Sequence, residues 1–536
     1  MEHNLEKIEH IVVLMLENRS FDNILGFLGA SDPGGQKVNG VAGKQLSNPI
    51  PEYARTANGP RSVPIGIETD MTNPNPDPGE EYAHVNTQLF GQVIPPENRY
   101  PQFDEKPQDP YNLPTLESYT NPPMNGFVTD YINHFNALMK QMPAYDEYKV
   151  IMNCHTEETL PVLHTLAKEY AVFDAWFASV PSQTICNRFF LHAGTSYGYV
   201  SNAPYYNWMM HEAPTIFNRI SDKRDPKVTW KIYYDRDDIV SFTGLLHRSL
   251  WQYRKTNFFH MDDFKNDANQ GTLPSYSFIE PRFFMGHNDQ HPPIGQQSLG
   301  TSNILAGELL IYWVYDVLRN SPGWNQTLLI ITYDEHGGCY DHVPPPAAVP
   351  PDEFMSEEGF KFDRYGLRVP MVMVSPYIEK GTVFSGTYDH TSIIKVICDR
   401  WNLEPLTERD KHANSFAEVL NRETPRSDNP PIKPRKYTMP RSTLDEPINP
   451  LQRTILFIMA GLEDMLDDHT NETYLTRAKD LLQLIHDESR IAHIKTAGQA
   501  VQFSIAFDKR VTKHISLYDW LRVRLKMLLR SLFSTI

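Results

Sequence analysis

Two apolar runs in this chain end in the same way. "HIVVLML" (10–16) stops at Glu17 and Asn18, and "TLLIITY" (327–333) stops at Asp334 and Glu335. A short apolar run without polar alternation fits a strand covered on both faces, the environment inside a parallel sheet. In open parallel sheets, ligands bind beyond the carboxyl ends of the strands, where loops bring distant residues together. Two strands that each end in a pair of oxygen-bearing side chains therefore outline a site as well as a fold. Three converging carboxylates repel one another, and burial worsens the conflict. A divalent cation removes it, and an all-oxygen ligand set suits a hard or borderline metal. The plainer alternative is that each acidic pair only caps a helix or shapes a turn.

"RVPMVMVSP" (368–376) is a third strand candidate, and residues 126–178 carry apolar positions at helical spacing. Strands separated by helical stretches predict an α/β fold with a mostly parallel central sheet covered by helices. Residues 31–125 read as loop, rich in proline, asparagine and acids, as in "NPNPDPGEEYAHVNTQLFG". Loops of that length in a compact domain usually shape a site. A proline-rich basic stretch at 425–450 reads as a linker between a catalytic domain (1–424) and a helical region (451–536). The last predicted helix places Leu517, Leu521, Leu525, Leu528 and Leu532 on one side, with Arg522, Arg524, Lys526 and Arg530 as its cations. It either packs on the domain or makes peripheral contact with a membrane surface.

A formal net charge of −16 argues against general nucleic-acid binding, which needs a basic surface. It also means that an anionic substrate needs a locally positive site, such as a metal. Cys154, Cys186, Cys339 and Cys398 are spaced for neither a zinc knot nor a disulfide scaffold and read as buried thiols. No leader-like amino terminus and no membrane span is evident, so the expected location is cytoplasmic or reached by a leaderless route.

Within "SVPSQTICNRFFLHAGTS" (179–196), Thr184 follows a loop and opens a helix-like run. It either caps that helix or, beside the helix dipole and a cation, becomes a hydroxyl able to attack phosphorus. Asn187 and Arg188 are then placed to hold phosphate oxygens. His291, His342 and His390 each occupy a polar, proline- or turn-flanked setting, which suits a phosphate donor or general acid.

"ENRSFDNILG" (17–26), "TICNR" (184–188), "DEHGGCYDHV" (334–343) and "GLRVPMVMVSP" (366–376) resemble, in order, the four signature blocks of the phosphoesterase family. That family includes bacterial phosphatidylcholine-hydrolysing phospholipases C, plant non-specific phospholipases C and an acid phosphatase. The resemblance runs over roughly residues 8–405 and implies an alkaline-phosphatase-like core with a C-terminal helical extension. It implies that Glu17, Asn18, Asp334 and Glu335 are metal ligands, that Thr184 is both nucleophile and metal ligand, and that His291 and His390 face the phosphate. The expected activity is metal-dependent phospholipase C hydrolysis through a phosphothreonine, with zinc or calcium as the ion and a phospholipid or phosphate ester as substrate. An acid phosphatase is the alternative, and a non-catalytic membrane-surface or partner-binding protein a further one. Two departures stand out. Cys186 replaces the usual proline, which either loosens the loop or offers the metal a thiol; Glu80 stands where many relatives have a histidine. That leaves Glu80, His84 or His291 as the leaving-group acid.

Overall fold

The two apolar runs are neighbouring strands at the centre of one sheet. The computed structural model describes residues 4–30, 37–99, 107–114, 120–203, 208, 211, 213–238, 240–283, 286–293, 302–428 and 430–438, with scattered residues between 452 and 507. The sheet strands are β1 (His10–Leu16), β2 (Ala171–Phe173), β3 (Trp230–Tyr234), β4 (Phe258–His260), β5 (Tyr276–Ile279), β6 (Thr327–Tyr333), β7 (Met371–Val374) and β8 (Thr382–Phe384). Their order is β8-β2-β7-β6-β1-β5-β3-β4. Residues 11–16 of β1 and all of β6 are buried, as strands sandwiched between helical layers must be. Each side chain such as Ile11 or Ile330 contributes about 1.5–3 kcal/mol by leaving water.

Five strand pairs are parallel, and β7 alone runs against its neighbours β6 and β2. The reversal has a local cause. The segment between β6 and β7 never crosses to the other end of the sheet, because Arg368, three residues before β7, is tied to Asp22 and Asp341 near the carboxyl ends of β1 and β6. A strand that starts where its neighbour ended must run backwards.

The helices that matter for the site are α1 (Phe21–Leu25), α2 (Tyr82–Phe90), α3 (Phe127–Met139), α4 (Pro161–Glu169), α5 (Thr184–Ala193), α6 (Ile304–Arg319) and α7 (Thr391–Trp401). Glu308 on α6 accepts from the Val162 and Leu163 N–H groups at 2.7 and 3.0 Å, supplying acceptors for two of the free donors at the amino end of α4. The expected loop at 31–125 contains α2. Its polar residues Asn86, Thr87 and Gln88 are buried along with the apolar ones, so it shows no amphipathic period in sequence.

The described part of the expected linker, 425–428 and 430–438, is strapped to the domain: Ile432 is buried, and Arg426 donates to the Glu169 carbonyl. The basic helix expected at 513–533 lies outside the described residues. Among those described, no helix is long and apolar enough to cross a membrane, and all four cysteines are buried and free.

Candidate active site

Glu17 and Asp334 are the first residues past β1 and β6, and the Leu16–Tyr333 register sets them side by side. The Asp334 N–H donates to the Leu16 carbonyl and the Arg19 N–H to the Glu335 carbonyl, both at 3.1 Å, so the ladder continues past the strands. The Asn18 N–H donates to Asp334 Oδ1 at 3.1 Å. Asn18 itself takes φ 54°, a left-handed conformation that asparagine tolerates better than most residues. Gly337 sits against it at φ 60°, where a Cβ would lie 2.1 Å from the Asn18 carbonyl oxygen; only glycine lets the two turns touch.

α5 delivers the third element. Its N-cap is Gln183, which makes no side-chain capping bond, and Thr184 is the first helical residue. The expectation that Thr184 caps the helix is therefore corrected: its hydroxyl donates to Glu17 Oε2 at 3.3 Å. Arg188 lies one turn along the same face. It pairs with Glu17 Oε1 and reaches Asp334 Oδ2 with Nε at 3.5 Å, while its Nη1 has no partner.

Asn187 is also corrected. It accepts from the Val180 N–H at 3.1 Å and donates to the carbonyls of Val180, Ser182 and Gln183, so its amide is spent on the loop before α5 rather than on phosphate. That loop is held further by Asn202, which accepts from the Ile185 N–H at 2.9 Å. The expectation that Cys186 offers the metal a thiol is corrected: the thiol packs in an apolar cluster with Ile185, Phe189 and Trp208, where burial pushes its pKa up.

The His390 Nε2–H donates to the Asp334 carbonyl at 2.6 Å, and Nδ1 accepts from the Trp176 indole at 3.4 Å. Both ring nitrogens are committed, so the expected phosphate contact of His390 gives way to a supporting one under Asp334. His291 donates from Nδ1 to the Pro292 carbonyl at 2.8 Å. Its Nε2 is left as an acceptor 3.2 Å from Asn18 Nδ2. Burial lowers the pKa of both rings. His342 belongs to a different cluster, with Asp22, Lys44 and Arg368.

Of the three candidate acids, Glu80 and His291 stand at the site. Glu80 accepts from Asn18 Nδ2 and shares a hydrogen bond with the Glu335 carboxyl. His84 instead bonds Asp130 at 2.8 Å. Three residues were not anticipated. Asp77 Oδ1 lies 3.9 Å from His291 Nδ1. Asp289 accepts the Glu17 N–H on its carbonyl and the His291 N–H on Oδ1. His336 lies 3.2 Å from Glu335 Oε2 and donates from Nε2 to Gln88 Oε1 at 2.6 Å. Only Asp289 carried a signal in sequence, an aspartate two residues before His291 at the spacing of an Asx turn.

Glu17, Glu80, Glu335 and Asp77 all hold their protons to higher pH than ordinary carboxyls, first because they are buried and then because other acids face them. Arg188 is pushed the other way from its burial by Glu17 and Asp334, which hold its charge. Three buried oxygens here have no hydrogen-bond donor: Asn18 Oδ1, Asp334 Oδ2 and Glu335 Oε1. Unpaired oxygens of this kind are costly in a protein interior unless a cation meets them. The residues present fit a divalent ion held by oxygens, next to a hydroxyl at a helix amino terminus.

The sequence profile of the Phosphoesterase family matches residues 8–404. Non-specific phospholipase C3 of Arabidopsis thaliana is 34% identical over 548 residues, covering 95% of this chain and 94% of its own. Non-specific phospholipase C6 of the same plant is 35% identical, over 85% of this chain and 81% of its own. Phospholipase C B of Mycobacterium tuberculosis is 26% identical, over 75% of this chain and 74% of its own. Among solved structures, a protein in the alkaline phosphatase superfamily from Vibrio parahaemolyticus aligns at a TM-score of 0.30 and 11% identity, over 48% of this chain and 70% of that one. The chain belongs to the phosphoesterase family.

Proposed function

We propose that this chain is a metal-dependent phosphoric ester hydrolase of the phospholipase C type, acting on glycerophospholipids such as phosphatidylcholine. Relatives named for that activity match most of the chain. The observation that carries the reading to individual residues is the buried Thr184 hydroxyl, bonded to Glu17 beside three oxygens that lack donors.

Glu17, Asn18, Thr184, Asp334 and Glu335 would hold the ion, for which zinc or calcium is the best candidate. When bound, it supplies positive charge that lowers the hydroxyl pKa and offsets negative charge on the phosphate. Glu17 Oε2, already the acceptor of the Thr184 proton, takes that proton as Oγ1 attacks phosphorus. The bond from phosphorus to the diacylglycerol oxygen breaks, the departing alkoxide takes a proton from solvent, and Glu17 gives its proton back to Oγ1 when water later attacks. The head-group phosphate remains on Thr184 as a phosphothreonine. Water then attacks the same phosphorus, releasing the phosphorylated head group and returning the hydroxyl. Arg188 Nη1, which has no other partner, donates to a non-bridging oxygen. The positive amino end of α5 adds to it, and loss of one such donor typically costs about 10²–10³ in rate.

The test compares turnover of phosphatidylcholine with turnover of p-nitrophenyl phosphate by the purified, metal-loaded protein. Release of phosphocholine and diacylglycerol is expected. Hydrolysis confined to the monoester would move the assignment to an acid phosphatase.

A further inference from the structure

We propose that Asp77, Glu80 and His291 form a second cation site beside the first. One ligand atom from each lies within 4.8 Å of the others, and the three residues are only 5%, 8% and 2% exposed. Asp77 Oδ1 is buried with no donor, 3.9 Å from the His291 ring. Because His291 Nδ1 is committed to the Pro292 carbonyl, its lone pair is on Nε2. That lone pair and Glu80 Oε2 both face the Asn18 amide nitrogen. Two acceptors thus already converge on one electropositive group, with an unpartnered carboxylate oxygen close by.

Charge balance points the same way. Glu17, Asp77, Glu80, Asp334 and Glu335 are five buried carboxyls, and among the described residues Arg188 is the only guanidinium paired with any of them. Glu80 and Glu335 share a hydrogen bond and so hold one proton between them; that proton, one divalent ion and one guanidinium leave one negative charge, and a second divalent ion that displaces the proton balances all five. Isolated buried charge is expensive, so the second ion has a specific imbalance to correct.

The donor set of two carboxylates and an imidazole suits zinc or manganese better than calcium, which prefers oxygen alone. Glu80 also touches Glu335, so the two ions would share one wall. Given the phosphodiester reading above, on which this rests, the second ion stabilises the oxygen that leaves phosphorus while the first serves the oxygen that attacks.

The experiment uses the full chain, stripped with a chelator and titrated with zinc alone, with metal per chain measured by elemental analysis after gel filtration. Two ions per chain are expected, falling to one in both Asp77→Asn and Glu80→Gln. Should either variant fail to fold, manganese-loaded wild-type protein provides the second measurement, because a pair of adjacent ions gives a coupled paramagnetic resonance signal. One ion per wild-type chain at saturating zinc, with phosphodiester turnover intact, overturns the second site alone. No bound ion and no turnover overturns the functional reading with it. Two ions retained in both variants, or an uncoupled manganese signal, overturn the second site.

Discussion

Two clusters of acids lie near the carboxyl ends of β1 and β6, and they solve the same problem in opposite ways. Asp22, Asp341 and His342 bring ligand atoms within 4.8 Å of one another, as Asp77, Glu80 and His291 do. In the first cluster, however, every carboxylate oxygen has a donor. Arg368 reaches Asp22 Oδ1 and Asp341 Oδ1, each at 2.9 Å. Asp22 Oδ2 accepts from the His342 N–H at 2.8 Å, and Asp341 Oδ2 from the Asp22 N–H at 3.2 Å. Around Glu17 and Asp334, by contrast, Asn18 Oδ1, Asp334 Oδ2, Glu335 Oε1 and Asp77 Oδ1 have none. The number of acids therefore does not distinguish a structural cluster from a binding one. What distinguishes them is how completely the chain's own groups cover the oxygens: Arg368 and backbone N–H groups reach all four carboxylate oxygens of Asp22 and Asp341, whereas Arg188 pairs with Glu17 and Asp334 and leaves Glu335 Oε1 and Asp77 Oδ1 without a donor.

The comparison can be broken most decisively at Asp334. Asp334→Asn should lower turnover by about a thousandfold or more, equivalent to about 4 kcal/mol, and lower bound metal with it. The metal-free variant should melt no lower than metal-free wild type, since a repelling charge has been removed. Near-normal turnover with metal retained would remove Asp334 from the site.

Arg368→Met tests the opposite cluster. It leaves Asp22 and Asp341 buried without their cation, which typically costs about 3–5 kcal/mol. Denaturant unfolding should show that loss, and added zinc should not restore it. Recovery with zinc would mean that the two clusters are interchangeable.

A third cluster has a counter-charge that pH can remove. Burial opposes the charge on His84, but Asp130 at 2.8 Å and Glu81 raise its pKa to about 9. A group with a raised folded pKa contributes stability that is fully present below its unfolded value, near 6.5, and is lost as pH rises through about 9. Unfolding free energy should fall by roughly 3 kcal/mol across that window, and His84→Gln should flatten the fall. An unchanged slope in the variant would show that His84 does not titrate there.

The smallest effect is expected at Gln88. Its Nε2 donates to the Gly79 carbonyl at 2.7 Å and to Asp130 Oδ2 at 2.8 Å, which fixes Oε1 as the acceptor from His336. It thus brackets the Glu80 turn and the Glu335 turn. Gln88→Met keeps the volume and removes the bonds, and should weaken metal binding by about tenfold, the lower end of what outer partners contribute. Unaltered affinity by calorimetry would show that the bracket is packing only.

The main frame of the site was readable in the sequence because it obeys local rules. An apolar strand ending in acids is visible in any window that contains it, and Thr184 and Arg188 are one helical turn apart. What could not be read depends on pairings between distant segments. Asn187 looks like a phosphate ligand until the loop at 180–183 closes around its amide. His390 looks free until Trp176 and the Asp334 carbonyl occupy both nitrogens. Gln88 is a polar residue in what reads as loop, and its partners are 42 and 248 residues away. Counter-ions are the least legible of all, since nothing near Asp22 in sequence announces that Arg368 will neutralise it.

Ile455, Leu456, Met459, Ile494 and Phe507 are buried in the same apolar cluster as Ile185, Cys186 and Phe189. Helix α5, which carries Thr184, thus has carboxylates on one flank and these later residues behind the other. Trimming the chain to the 8–404 stretch would strip that backstop and wet the rear of the helix. The packing of the Thr184 helix and that of the described residues between 455 and 507 are joined through this one cluster.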